Sequence, residues 1–423
     1  MAAGAALALA SPCCSLGERR FIPAGGTPYQ GTDEELLEEI QRASFDFFWN
    51  EASARTGQVK DRALAHGGDT RRMSSIAATG FGLTALCIGE RRGYRKPAEI
   101  NDRVRATLKF IANLPHEHGF FYHFIDIETG ERWAKCELSS IDTSLLLCGV
   151  LTARQHFSDQ QIKDLATRIY ERVDWPWMLN GGQAFSMGWH PESGFLAARW
   201  QHYCELMMIY LLAIGSPTHA VSAETWNAWT RPVVSFQGID YISGNDPLFT
   251  HQYSQAWFDF RHQRDAYANY FENSVKATRA HKLFCLSLHN EFPDYSEDLW
   301  GISASDYEKG YTAWGGPPRI GPIDGSIVPC ASGGSLPFLF EDSIRVLRTI
   351  RGPYREKAWT RYSFVDAFNP LNGWYDPDVL GIDLGITMLM AENHRTQFVW
   401  QTFMKNSEAQ SAMVKAGFKT VPD

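Results

Sequence analysis

Four groups of carboxylates in this chain stand where they could do acid–base chemistry. Glu205 opens the run Glu-Leu-Met-Met-Ile-Tyr-Leu-Leu-Ala-Ile, a lone acid at the mouth of an otherwise apolar helical stretch. Desolvation there would favour the protonated form of a general acid, and a helix N-terminus would favour the charged form. Glu205 is therefore either a helix cap or a site residue. Asp383 repeats the theme in Gly-Ile-Asp-Leu-Gly-Ile-Thr-Met-Leu-Met, and Glu392, at the far end of the same run, reads as a paired acid. Glu137 and Asp142 share the stretch Cys-Glu-Leu-Ser-Ser-Ile-Asp-Thr. The spacing Ser139-x-x-Asp142 also suits helix initiation, whereas Glu137 lies just outside the helix and has no capping role. Asp306 and Asp324 lie further on, and Asp324 in Gly-Pro-Ile-Asp-Gly-Ser also reads as a turn residue. Hydrolysis of a glycosidic bond needs two carboxyl groups across it, one protonated and one charged. The inventory is present, but the sequence alone does not choose the pair.

The last two acids belong to the stretch Trp300–Pro337, rich in Gly and Pro and set between two helical patterns. Connections this long are functional or disordered, and disordered segments are poor in aromatics. This one carries Trp300, Tyr307, Tyr311 and Trp314 beside Asp306, Arg319 and Asp324. Aromatic faces interleaved with carboxylates suit a surface that stacks sugar rings and grips their hydroxyls. The alternative is a packed loop covering one end of a helical core. Trp300, Asp306, Tyr311, Trp314, Arg319 and Asp324 are the substrate-binding candidates.

Other chemistries lack their signatures. There is no H-E-x-x-H, P-loop or G-x-S-x-G, and Gly80-Phe-Gly82 is too short to carry meaning. His116, His118 and His123 read as a solvated loop rather than a metal site. The 8 cysteines show no C-x-x-C spacing: Cys13 and Cys14 are adjacent and the rest isolated. No metal and no cofactor is expected. A net charge of −8 argues against nucleic acid or an anionic membrane, and no run is apolar for long enough to span a bilayer. With 14 Trp and 16 Tyr, the composition suits a neutral polar ligand. The start, MAAGAALALASPCC, resembles the tail of a secretory leader without its basic region, since Arg19 and Arg20 follow the apolar run. The expectation is a leader or loose terminus over 1–28, a single catalytic domain over 29–423, a periplasmic or secreted location (cytoplasmic as the alternative), and a monomer.

Elements that could position these acids recur along the chain. Thr32-Asp-Glu-Glu35 is a capping box ahead of Leu36, Leu37, Ile40, Phe45 and Phe48 at helical spacing. Helices are predicted over 75–92, from Pro97 to Leu114, and over 139–157, 159–173, 205–214, 266–290, 336–351, 381–393, 396–405 and 408–416. Phe120 to Trp133 reads as a hairpin turning at Glu128-Thr-Gly130, 184–197 as a short β-like piece, and 250–260 is ambiguous. Several helices are apolar nearly all round, hence buried. Buried helices ringed by amphipathic ones imply an all-α (α/α)6 toroid, with its long loops gathered at one mouth. An α-solenoid is the competitor, but no repeat period is visible.

The pieces SSIDTSLLLCG, YCELMMIYLLAIGSPTH, QYSQAWFDFR, WGISASD, GYTAWGGPPRIGPIDGSIVP, GGSLPF, DAFNP and GIDLGI, in order from about Phe45 to Lys405, resemble the bacterial glucoamylase-like domain family. That family includes endo-β-1,2-glucanases and resembles the processing domain of cyclic β-1,2-glucan synthases. The resemblance implies an (α/α)6 barrel, a glycan substrate and an inverting mechanism. It places the general acid on Glu205 and leaves Asp142, Glu137 and Asp383 as acidic cleft positions from which the base is drawn. Where the family reads Tyr-Asp/Asn-Glu, this chain has Tyr203-Cys204-Glu205, which implies altered hydrogen bonding around the acid. The expected activity is hydrolysis of a β-glucan, most simply β-1,2-linked. The rivals are a transglycosylase on the same site and a non-catalytic glycan-binding protein.

Overall fold

The computed structural model describes residues 26–244 and 247–421, so the leader segment and the Cys13–Cys14 pair lie outside the described residues. The first helix, α1 (Asp33–Asn50), starts at the capping box: Thr32 Oγ accepts from Glu35 N, and the Glu35 carboxylate accepts from Thr32 N. Next come α2 (Ile76–Arg92), α3 (Pro97–Ala112), α4 (Ser140–His156), α5 (Gln160–Glu171) and α6 (Met207–Gly215). After them run α7 (Tyr270–Ser287), α8 (Pro329–Gly333), α9 (Phe340–Arg351), α10 (Gly381–Thr396) and α11 (Ser407–Lys415).

The helices apolar on every side form an inner ring. α2 packs on α4, and α4 on α6. Two 3-10 turns, Leu248–His251 and Tyr253–Ala256, come next, with Ser254 Oγ accepting from Met208 N of α6. α8 and α10 complete the ring, and α10 closes back on α2. The amphipathic helices lie outside. α1 covers α2 and α10, while α3 and α5 cover α2 and α4. α7 lies against the first 3-10 turn and α9 against α8, and α11 returns from the far end of the chain to cover α6. This is the (α/α)6 toroid, and the contact of α10 with α2 distinguishes it from an open solenoid.

Three segments are defined only by the fold. The ambiguous stretch 250–260 falls on the two 3-10 turns, Leu248–His251 and Tyr253–Ala256, because its buried side chains bond across the ring rather than along a helix: Gln252 Nε2 donates to Ala331 O and Ser335 Oγ, and Gln255 Nε2 donates to Tyr270 O and Ser274 Oγ. The hairpin expected to turn near Glu128 is present, with Ile125 bridged antiparallel to Arg132 and Trp133 N donating to Phe124 O, and the strand Phe124–Asp126 pairs on its other edge with Met73–Ser75. The stretch Trp300–Pro337 is not structureless. It supplies an antiparallel hairpin, Ala304–Tyr307 with Gly310–Ala313, and the inner helix α8.

Candidate active site

Inner helices that run the same way present their N-terminal ends at one mouth. There they open onto a cavity of about 400 Å³. Its walls include Ser75, the N-cap of α2, then Asp142 in the first turn of α4, Glu205 just ahead of α6, and Phe249 and Tyr253 from the 3-10 turns. Tyr311 reaches it from the hairpin, and Asp61 and Arg62 come from the segment before α2. Partial positive charge at helix N-termini favours acids placed there. Sequence reading found Glu205, Asp142 and Asp383 because each begins an apolar run.

Asp142 is both a helix-start residue and a cavity residue. Its N–H donates to Ser139 Oγ at 3.2 Å, and the Ser139 hydroxyl donates back to Asp142 Oδ2 at 2.5 Å. Beside it stands His123, with Nδ1 3.0 Å from Glu137 Oε1 and Nε2 3.5 Å from Asp142 Oδ1. The imidazole also stacks on Phe124, with centroids 3.8 Å apart. Burial alone would pull the His123 pKa down, but Asp142, Glu137 and Asp61 outweigh it and hold the ring at about 9. The hydrogen bond from His123 in turn holds Glu137 below the usual carboxylate range. Potential ligand atoms of His123, Glu137 and Asp142 lie within 4.8 Å of one another. The two carboxylates flank the ring on opposite nitrogens.

Glu205 is fixed through its backbone: Ser254 Oγ donates to Glu205 O at 2.6 Å and accepts from Met208 N, holding the chain where it turns into α6. Asp383 lies deeper, behind Tyr253, whose hydroxyl is 3.5 Å from Asp383 Oδ1. Its neighbour is Asp366, a residue the sequence reading missed. Burial, then the Asp383 charge, pushes the Asp366 pKa far up. Burial raises Asp383 too, but hydrogen bonds from Asp366 and Cys330 counter the rise.

Asp306 joins this floor. It is ion-paired to Arg62, and its N–H donates to Asp366 Oδ2 at 2.7 Å. Burial raises its pKa, against Arg62. Potential ligand atoms of Asp306, Asp366 and Asp376 also lie within 4.8 Å of one another. Here the Arg62 guanidinium already offsets charge. Opposite Asp306 in the hairpin register stands Tyr311, which is 54% exposed and so offers a ring face to a ligand. Burial of its hydroxyl, then Asp383 and Asp366, pushes the phenol pKa well up.

The remaining binding candidates stand apart from the cavity lining. Trp300 is fully buried in the core, and Trp314 is 3% exposed with Nε1 donating to Ser305 Oγ, so neither ring offers a stacking face. Arg319 forms an exposed pair with Glu291 at 2.8 Å. Asp324 stabilises its own turn by accepting from Ser326 N at 2.9 Å. None of the four lines the cavity. The residues missed, besides Asp366, are Arg62, Phe249, Tyr253 and His123. For His123 a signal existed: it is flanked by Phe120, Phe121, Tyr122, Phe124 and Ile125, unlike the polar surroundings of His116.

Comparison with known proteins bears on the fold and the family. The family described as "Putative glucoamylase" matches residues 197–407. An exo β-1,2-glucooligosaccharide sophorohydrolase (non-reducing end) of Parabacteroides distasonis is 28% identical over 92% of this chain, which spans 58% of that relative's length. An endo-β-1,2-glucanase from Chitinophaga pinensis, solved with sophorotriose and glucose, superposes with a TM-score of 0.87 at 27% identity, over 92% of this chain and 99% of that one. A "putative glucoamylase" from Bacteroides uniformis gives a TM-score of 0.87 at 27% identity, over 93% and 99% of the two chains.

Proposed function

Because this chain belongs to the glucoamylase-like family, we propose that it is a glycoside hydrolase that cleaves β-1,2-glucan by an inverting acid–base mechanism. The observation that carries the reading is the cavity itself. Glu205 and Asp142 face one space, with Asp383 behind its wall and the Tyr311 ring at its edge. Both the sophorohydrolase and the endo-glucanase compared above are named for β-1,2-linked glucan, which supports the linkage.

In this scheme Glu205 protonates the glycosidic oxygen as the leaving sugar departs. A carboxylate on the other side, Asp142 or Asp383, takes a proton from the attacking water. Attack on the face opposite the leaving group inverts the anomeric carbon. Glu137 supports the network without touching the bond, and the Tyr311 ring stacks a sugar. The protein acts as an exported monomer, with one catalytic domain over 29–423.

The test is incubation with β-1,2-, β-1,3-, β-1,4- and α-1,4-glucans, reading reducing ends, product sizes and the anomer formed first. Release from β-1,2-glucan with the α-anomer appearing first is expected, and product sizes separate exo from endo action. Release from none of them overturns the reading. Glu205→Gln should lower kcat by about 10²- to 10⁴-fold while oligosaccharide binding persists, and unchanged turnover removes Glu205 from its role. Asp142→Asn and Asp383→Asn, each with added azide, identify the base by which one the small anion rescues.

A further inference from the structure

His123 has no part in the two-carboxylate scheme, yet it stands between two of its acids. Three observations define its setting. Each ring nitrogen faces a different carboxylate, Nδ1 toward Glu137 Oε1 at 3.0 Å and Nε2 toward Asp142 Oδ1 at 3.5 Å. The ring lies flat on Phe124, with planes 17° apart, so it cannot swing away without losing that stack. Asp142 is gripped from its other oxygen by Ser139, which leaves its Oδ1 side to His123 and the cavity.

We propose that His123 is a positioning residue: clamped as an imidazolium between Glu137 and Asp142, it aims the Asp142 carboxylate into the cavity, and the site works only while the ring keeps its second proton. This rests on the hydrolase reading. A neutral imidazole has one N–H and could serve only one of the two acids; the charged ring serves both. The charged groups around it point the same way. Glu137 comes from just ahead of the strand Leu138–Ser139, Asp142 from α4 itself and Asp61 from the segment before α2, while Glu205 lines the same cavity. Two cations lie nearby. Arg62 is committed to Asp61 and Asp306, and His190 acts on Glu137. The surroundings hold the His123 pKa at about 9, so the ring is charged through the neutral range.

The experiment is a pH profile of kcat/KM on β-1,2-glucan for the full chain, Glu137→Gln and His123→Gln, with folding checked by circular dichroism. In the parent the alkaline limb follows whichever of the Glu205 and His123 protons is lost first, so the variants are read at the plateau. His123→Gln should lower that plateau by roughly 10²-fold, the scale of a small misplacement of a reacting group. An unchanged plateau in the folded variant overturns the proposal. If His123→Gln fails to fold, the midpoint of the His123 ring in Glu137→Gln still decides.

NMR titration of the His123 Cε1–H, with no substrate present, separates this proposal from the hydrolase reading. A midpoint near 9 that drops in Glu137→Gln supports the clamp, and a midpoint at the ordinary 6.5 overturns it whatever the substrate. A ring titrating near 9 in a protein that cleaves no glucan instead refutes the catalytic reading and, with it, the positioning role.

Discussion

Asp376 sits in surroundings that oppose its charge. Its Oδ1 accepts from Asp378 N at 2.9 Å, its Oδ2 has no hydrogen-bond partner among the described residues, and the residue is 4% exposed. Burial pushes its pKa from 3.8 to about 7. A folded pKa above the unfolded one stabilises the protein fully below the unfolded value, and that stability is lost as pH rises through the folded value. Asp376→Asn keeps the acceptor and removes the charge. Its thermal stability relative to the parent should therefore rise between pH 5 and pH 8, by an amount of order 1 kcal/mol. An equal difference at both pH values would refute this reading. For His123 the same rule puts the window between 6.5 and about 9. The stability deficit of His123→Gln should be full at pH 6 and should shrink toward pH 9.5, as differential scanning calorimetry would show. The acids that sequence reading located, Glu205, Asp142 and Asp383, announce themselves locally by opening apolar runs. Arg62 and Asp366 do not, because their partners Asp306 and Asp383 are brought to them only by the fold.

Helices α2 and α4 meet through glycine rather than through interlocked side chains. A Cβ added at Gly149 would lie 2.0 Å from Gly80 O, and one at Gly80 would lie 2.4 Å from Leu145 O. Both obstacles are backbone and cannot rotate aside. Gly80→Ala must push the two helices apart, at a cost of about 1–3 kcal/mol for overpacking. The same two helices place Ser75 and Asp142 at the cavity, so kcat on β-1,2-glucan should fall along with the urea midpoint. A neutral result in both assays would contradict the close approach. Helix starts and periods were legible from sequence because caps such as Thr32–Glu35 and Pro97 act within one turn. The inner 3-10 turns were not legible, since Gln252 and Gln255 find their partners far along the chain. The aromatic stretch misled for a related reason. Its composition shows that rings are present, but only packing decides that Trp300 faces the core while Tyr311 faces the cavity.

Closing a ring of helices requires the first inner helix to find the last, and a buried charge network sits at that seam. Glu392 of α10 is fully buried; its Oε2 accepts from Arg92 Nε of α2 at 2.6 Å and from Gln41 Nε2 of α1 at 2.7 Å, and its Oε1 accepts from the Thr396 hydroxyl at 2.6 Å. Arg395 extends the network to Glu38 of α1 at 2.9 Å. The place of Glu392 at the end of an apolar run reads as that of a paired acid, and so it is, although its Arg92 partner lies 300 residues away in the chain. Removing one member of such a cluster leaves the others buried without partners, which costs about 3–5 kcal/mol. Glu392→Ala should therefore lower the melting temperature well beyond the effect of a surface substitution. Along α10, Glu392 is nine residues, or about 13 Å, from Asp383 and the cavity end. Because the seam and the mouth occupy opposite ends of the inner helices, kcat/KM of the folded variant at 25 °C should stay within about twofold of the parent, whereas Asp383→Asn should do the reverse, sparing stability and losing turnover. A folded Glu392→Ala protein without activity would mean that closure of the ring sets the cavity geometry, so that the two ends behave as one unit.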